Sequence, residues 1–193
     1  MLKLYHSPQS RSSRFIWMLE ELGQPYDIEY VTIRRGDGSG GSDPKNRNPR
    51  GKVPALEHDG RLVTESGAIT LYLTDAFPEA GLAPKVGDPG RGDYLGWLFF
   101  YVSEVEPGMI LKFLEVTNPM MANIYDPMVA HFEGRLKASP YIAGDTFTAL
   151  DVLFASAVQW GGTMLPKSEV LDAYLARLIE RPACQRAQAK EQP

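Results

Sequence analysis

The feature that most constrains the fold is a proline at the head of a strand. It lies in Gly51-Lys52-Val53-Pro54-Ala55-Leu56, which leads through Asp59-Gly60 to Thr64-Glu65-Ser66-Gly67-Ala68-Ile69. Proline has no N–H to give to a ladder, so Pro54 suits only an edge strand or a strand's first residue. Asp-Gly closes a tight hairpin, so a second strand over residues 61–63 must return beside the first. A helix then opens at Glu65-Ser66 and runs to about Ala76. If the Val53–Pro54 bond is cis, the Val53 N–H and C=O turn outward and stay unpaired. Such an edge can take an extended peptide by strand addition, and the first N–H groups of a helix can seat a carboxylate. Together they describe a site for a small, acidic, extended peptide.

The chain upstream completes an α/β unit. Residues 2–5 read as a short strand ended by Pro8. Phe15, Met18, Leu19 and Leu22 recur at helical spacing until Gly23 stops the run. Tyr26-Asp27-Ile28-Glu29-Tyr30 alternates apolar with charged, a strand signal. Residues 34–49, rich in Gly, Ser, Asp and Asn, read as a loop. The order βαβ, hairpin, helix predicts an α/β domain over residues 1–78.

Strand signals vanish after a Pro- and Gly-dense linker at 79–90. Tyr94, Trp97, Leu98, Tyr101, Val102 and Val105 mark one long helix, with a bend expected at Pro107-Gly108. Further helices are expected over 126–136, 150–160 and 168–179, with a short one after Pro182. Residues 91–193 should therefore form an all-α domain. Thr148-Ala149-Leu150-Asp151 reads as a structural capping box.

Composition excludes several roles. The formal net charge is −4 over 193 residues, which argues against nucleic acid or an anionic membrane as main partner. The single cysteine, Cys184, suits a reducing compartment and allows no internal disulfide. There is no apolar h-region at the N-terminus and no run of ~20 apolar residues. A cytoplasmic protein is expected, with no metal site.

The residues resemble the cytosolic glutathione transferases, in a bacterial-type, serine-type form. The resemblance is carried by Asn48-Pro49-Arg50-Gly51-Lys52-Val53-Pro54-Ala55-Leu56 with Thr64-Glu65-Ser66-Gly67-Ala68-Ile69. Ser10-Arg11-Ser12-Ser13-Arg14 before Trp17-Met18-Leu19-Glu20-Glu21-Leu22-Gly23, then Thr148-Ala149-Leu150-Asp151 and Arg181-Pro182-Ala183, add to it. It implies a thioredoxin-like N-terminal domain and a helical C-terminal domain. It also implies a homodimer that uses glutathione as co-substrate, with no other cofactor. The implied reaction is attack of the glutathione thiolate on small hydrophobic electrophiles, as in detoxification. Reduction of organic hydroperoxides by the same thiolate, or a non-catalytic glutathione-binding module on the same fold, are the alternatives.

The chemistry needs an acidified thiol. Lowering a thiol pKa of ~8.5 by ~2 units takes ~2.7 kcal/mol. One hydrogen bond to a charged acceptor supplies ~1.5–3 kcal/mol, and a helix N-terminus adds ~0.3–1. One hydroxyl at the mouth of the first helix is enough. By resemblance that hydroxyl is Ser10, with Ser12 as runner-up; both positions also suit a helix cap. A tyrosine-type mechanism is disfavoured, because His6 stands where that tyrosine would be. No cysteine precedes Cys184, so a mixed disulfide at the first helix is chemically unavailable.

The resemblance implies that Glu65 binds the γ-glutamyl ammonium and that Ser66 holds the neighbouring carboxylate. Val53, before Pro54, would pair its backbone with the cysteinyl unit. Lys52, helped by Arg34 or Arg35, would meet the glycyl carboxylate. Residues 34–52 hold six basic and two acidic side chains. Tyr101, Met109, Phe113 and Trp160 are candidate liners of the electrophile site, although aromatics and methionines at helical spacing also suit a core.

Overall fold

Buried side chains crowd the strand β1 (Leu2–His6), where only Lys3 has appreciable exposure, because β1 is flanked on both sides. In this computed structural model, which describes residues 1–193 with side chains for all but Met121, Ala122 and Thr163, the sheet order is β2-β1-β3-β4. The strand β2 (Tyr26–Tyr30) runs parallel to β1, with His6 opposite Tyr30. The strand β3 (Ala55–His58) is antiparallel to β1, with Leu4 opposite Leu56. β4 (Arg61–Thr64) closes the far edge, antiparallel to β3. Asp59 and Gly60 between them both have positive φ, 48° and 79°, as a two-residue hairpin turn with the twist of its strands requires.

The helix α1 (Ser13–Leu22) makes the crossover from β1 to β2, burying Phe15, Ile16, Met18 and Leu19 without exposed surface. Gly23 ends it at φ 72°, its N–H bonded to the Leu19 carbonyl at 3.1 Å, a left-handed cap for which glycine is the favoured residue. α2 (Ser66–Ala76) follows β4. In the long loop before β3, Gly40 has φ 74°, and any Cβ there would collide with the Ile33 carbonyl oxygen.

Two compact units emerge, Met1–Ala80 together with Pro182–Pro193, and Gly81–Arg181. The sequence reading gave the whole of 91–193 to the helical domain; the C-terminal segment instead clusters with the first unit. Its helix α8 (Pro182–Ala189) buries Ala183, Cys184 and Ala187. Arg186 and Lys190 both donate to Glu20 of α1 at 2.6 Å, and the Tyr30 hydroxyl donates to the Lys190 carbonyl at 2.9 Å. Such long-range polar pairing leaves no periodic trace in a sequence.

In the second unit, α3 (Arg91–Phe100) passes through a π-helical turn, Tyr101–Val105, into α4 (Glu106–Phe113). Pro107 has no N–H to return to the preceding turn, and the register widens just ahead of it. α5 (Pro119–Ala138) starts earlier than residue 126: Asn118 caps it by accepting from the Met120 N–H at 3.0 Å, and Pro119 takes the first helical position. Asp126-Pro127, which imitates such a start, lies inside the helix. α6 (Ala149–Gly161) carries the expected capping box, and α7 (Glu169–Ile179) is capped by Ser168. The unit's core is aromatic, with Phe154 set 4.8 Å from Phe132 and 5.0 Å from Tyr101 between ring centroids. No helix among the described residues is long and apolar enough to cross a membrane.

Candidate functional site

The segment joining β1 to α1 is held in one shape by its hydroxyls. Ser10 Oγ donates to the Ser7 carbonyl at 2.7 Å, lies 2.7 Å from Ser12 Oγ, and accepts from the Ser12 N–H at 3.2 Å. Ser12 is fully buried and its Oγ sits 2.8 Å from His6 Nδ1 while accepting from the Ser7 N–H at 3.1 Å. Neither serine caps α1 in the ordinary way: the Ser12 side chain makes no cap bond, and the Ser13 N–H goes to the Ser10 carbonyl at 3.1 Å. Ser10 is only half-buried. The two candidate hydroxyls therefore differ in access.

Arg35 reaches this segment from the loop after β2, donating to the Pro8 carbonyl at 2.8 Å and the Gln9 carbonyl at 3.4 Å. It brings a guanidinium charge beside the helix mouth, where an anion is favoured. Its guanidinium is thus engaged by this segment's carbonyls, not held out for a ligand carboxylate as the resemblance suggested. Of the other basic residues in the loop, Lys45 pairs with Glu29, Arg47 with Glu57 and Arg50 with Glu65. Lys52 and Arg34 are exposed and make no ion pair among the described residues. The positive excess read from the sequence is largely spent on the fold, and Lys52 stands out as available.

The Val53–Pro54 bond is cis. Pro54 is buried, and Val53 packs partly buried against Tyr5, Val31 and Ala55. Among the described residues no partner meets the Val53 N–H or C=O. The preceding carbonyl, that of Lys52, is held by Asn48 Nδ2 at 2.9 Å, and Asn48 itself is buried. Asn48 thereby anchors the turn before Val53.

Glu65 precedes α2 with φ 71° and ψ 129°, a region that non-glycine residues rarely adopt and that concentrates at functional sites. Its side chain is exposed and accepts from Arg50 Nη1 at 2.8 Å. The N–H groups of Ser66, Gly67 and Ala68 have no acceptor among the described residues, so the positive end of α2 is open. Acceptor carboxylate and open helix end stand side by side, as a zwitterionic ligand requires.

Tyr5 is excluded from the helix mouth by its partner. Its hydroxyl donates to Glu57 at 2.8 Å, and burial, reinforced by that carboxylate, pushes its pKa up to about 12. In the helical unit, Tyr101 and Met109 are core residues, at 0% and 1% exposure, rather than surface liners. Both sit on the inner face of the helix that carries the π turn. Phe113 and Trp160 are exposed, at 67% and 56%. Among the described residues no cluster of three His, Cys, Asp or Glu side chains could hold a metal ion.

The sequence reading missed His6 and Glu191. His6 Nε2 lies 3.1 Å from the Glu191 carbonyl, and the Glu191 carboxylate accepts from the Gln9 N–H at 2.6 Å and from Ser13 Oγ at 2.8 Å. In the sequence His6 is only the residue that stands where a tyrosine would be. Nothing in the sequence ties residue 191 to residue 6.

Comparison with known proteins identifies the family. Residues 4–81 match the profile of the glutathione S-transferase N-terminal domain. The chain is 30% identical to the glutathione S-transferase GstA of Escherichia coli, over 98% of each sequence. Its fold superposes on a glutathione transferase of Methylococcus capsulatus with TM-score 0.83 and 31% identity, over 99% of this chain and 98% of that one. A sphingomonad glutathione S-transferase complexed with glutathione gives TM-score 0.81 at 30% identity, over 98% of each chain. A thioredoxin-like unit with an open strand edge, a helical unit and a near full-length relative at this identity together show that the chain belongs to the glutathione transferase family.

Proposed function

We propose that this glutathione transferase lowers the thiol pKa of glutathione with the Ser10 hydroxyl and directs the thiolate at small hydrophobic electrophiles. The observation that carries the reading is the difference between the two serines. Ser12 is buried against His6, whereas Ser10 keeps exposed surface at the mouth of α1 with its oxygen polarised by the Ser12 N–H. Ser10 is the hydroxyl that a ligand sulfur can reach.

Four groups of the same unit hold the tripeptide in this reading. The free N–H and C=O of Val53 pair with the cysteinyl residue as an added strand. Glu65 takes the γ-glutamyl ammonium, and Ser66 with the open end of α2 takes the adjoining carboxylate. Lys52 meets the glycyl carboxylate. Phe113 and Trp160 are the surface aromatics of the helical unit that suit an apolar electrophile. The enzyme acts as a cytoplasmic homodimer, to be tested by sedimentation at micromolar concentration, where a species of single-chain mass would refute it.

Replacing Ser10 by Ala removes one hydrogen bond to a charged sulfur, about 1.5–3 kcal/mol. Turnover of a chloronitroaromatic should fall roughly 10- to 150-fold, with glutathione affinity changed little. Undiminished thiolate absorbance in that variant would remove Ser10 from the mechanism.

A further inference from the structure

The peptide before Ser10 is gripped from two sides by residues distant in sequence. Gln9 has φ 54°, in the left-handed region that residues other than glycine seldom hold unaided. Gln9 is exposed, so packing does not keep it there. Its N–H donates to the Glu191 carboxylate at 2.6 Å. On the other side Arg35 donates to the Gln9 carbonyl at 3.4 Å and to the Pro8 carbonyl at 2.8 Å. The Glu191 oxygen that holds Gln9 also accepts from Ser13 Oγ at 2.8 Å, which ties the turn to the start of α1. Glu191 is itself seated through the main chain. Its carbonyl lies 3.1 Å from His6 Nε2, and the Tyr30 hydroxyl donates to the carbonyls on either side, Lys190 at 2.9 Å and Gln192 at 3.1 Å.

We propose that Glu191 is a positioning residue for the thiol chemistry: its carboxylate holds the turn at Gln9 and so keeps Ser10 Oγ in place for the glutathione sulfur. The inference rests on Ser10 being the hydroxyl that meets the sulfur. At rest the one hydrogen of that hydroxyl goes to the Ser7 carbonyl at 2.7 Å. To donate to a thiolate, Ser10 must turn this hydrogen outward, and it gives up its inward anchor in doing so. The place of its oxygen then depends on the turn at Gln9, which Glu191 and Arg35 hold. A group set even a fraction of an ångström out of place loses much of its effect on a reacting atom. Glutathione as a whole is held elsewhere in the proposed reading, by Val53, Glu65, Ser66 and Lys52. Glu191 should therefore act on ionisation of the thiol and not on affinity for the tripeptide.

Removing the carboxylate separates position from charge by the direction of its effect. A negative group beside the mouth of α1 disfavours a second anion there, so loss of charge alone would lower the thiol pKa of bound glutathione. Loss of a positioning bond raises it. The pKa is read by titrating thiolate absorbance in the complex, and binding by calorimetry with S-methylglutathione, which has no thiol to ionise. Glu191→Ala should raise the pKa by about 0.5–1, which below that pKa lowers turnover roughly three- to tenfold. Its affinity for S-methylglutathione should stay within about twofold of wild type. Glu191→Gln keeps an oxygen that accepts from Gln9 and Ser13, so it should retain most of the turnover with no rise in pKa. An unchanged or lowered pKa in Glu191→Ala would overturn the proposal. So would an equal loss in Glu191→Gln, or a loss of S-methylglutathione affinity as large as the loss of turnover. In a Ser10→Ala background Glu191→Ala should add no further rise, since it acts through Ser10; a full additional rise would also overturn the proposal. A Ser10→Ala variant that forms thiolate undiminished would refute the Ser10 reading itself, which is a separate outcome.

Discussion

Glu20 of α1 and Arg186 of α8 meet at 2.6 Å, Oε2 to Nε, and the other carboxylate oxygen accepts from Lys190 at 2.6 Å and from the Tyr26 hydroxyl at 2.7 Å. The Glu20 side chain is 8% exposed. Burial alone would raise its pKa, but the bonds from Lys190, Tyr26 and Arg186 outweigh that and bring it down to about 2 from the usual 4.5. A carboxylate whose folded value lies below its unfolded one contributes stability above the unfolded value and loses it as pH falls. The hold on α8 should therefore weaken between about pH 4.5 and 2. Amide exchange in α8 should rise across that window, and Glu20→Gln should show the same loss of protection at neutral pH. Unchanged protection in the variant would mean that packing alone holds the segment.

The ion pair of Arg50 with Glu65 stands where the ligand ammonium is proposed to bind. Both side chains are well exposed, at 61% and 67%, and exposed pairs contribute about 0–1 kcal/mol. A ligand ammonium can therefore share or displace Arg50 at little cost. Arg50→Ala should change glutathione affinity by less than roughly fivefold, the equivalent of 1 kcal/mol. Glu65→Gln should weaken it by at least about tenfold, the loss of one charge-assisted bond. Calorimetric titration of both variants checks this, and a larger loss for Arg50→Ala would make Arg50 itself a ligand contact.

The local half of this architecture is legible in the residues. Asp59-Gly60 announces its hairpin, Gly23 ends α1, and Thr148 with Asp151 opens α6, because each depends on neighbours within a turn. What is lost depends on partners far along the chain. Glu191 against His6, and Arg186 against Glu20, are set by tertiary packing that has no period. The start of α5 failed differently: Asn118-Pro119 and Asp126-Pro127 carry the same start signal, and only the cap on Asn118 separates them. Tyr101 and Met109 show a third limit, since one helical spacing serves a core as well as a pocket.

Lys52, exposed and unpaired among the described residues, gives a selective prediction. If it meets the glycyl carboxylate, Lys52→Ala should weaken glutathione binding by up to roughly fivefold, the range of a solvent-exposed charge pair. Binding of γ-glutamylcysteine, which lacks the glycine, should not change. Equal losses for the two ligands would move the role of Lys52 elsewhere in the site.

Asp151 carries the opposite pH sign from Glu20. Its carboxylate accepts from the Ile142 N–H at 2.9 Å, the Thr148 N–H at 2.8 Å and the Tyr174 hydroxyl at 2.8 Å, with no exposed surface. Burial raises its pKa in spite of these bonds. A raised value favours the protonated form, so this group's contribution is greatest at low pH and declines as pH climbs through the folded value. Acid should therefore loosen α8 before it loosens the start of α6. Asp151→Ala strands three buried donors at about 1–3 kcal/mol each, a loss of at least about 3 kcal/mol. Thr148→Ala should cost only about 1 kcal/mol. Urea midpoints of the two variants decide the point: equal shifts would mean that the box acts only as a helix cap and that Ile142 and Tyr174 find other acceptors.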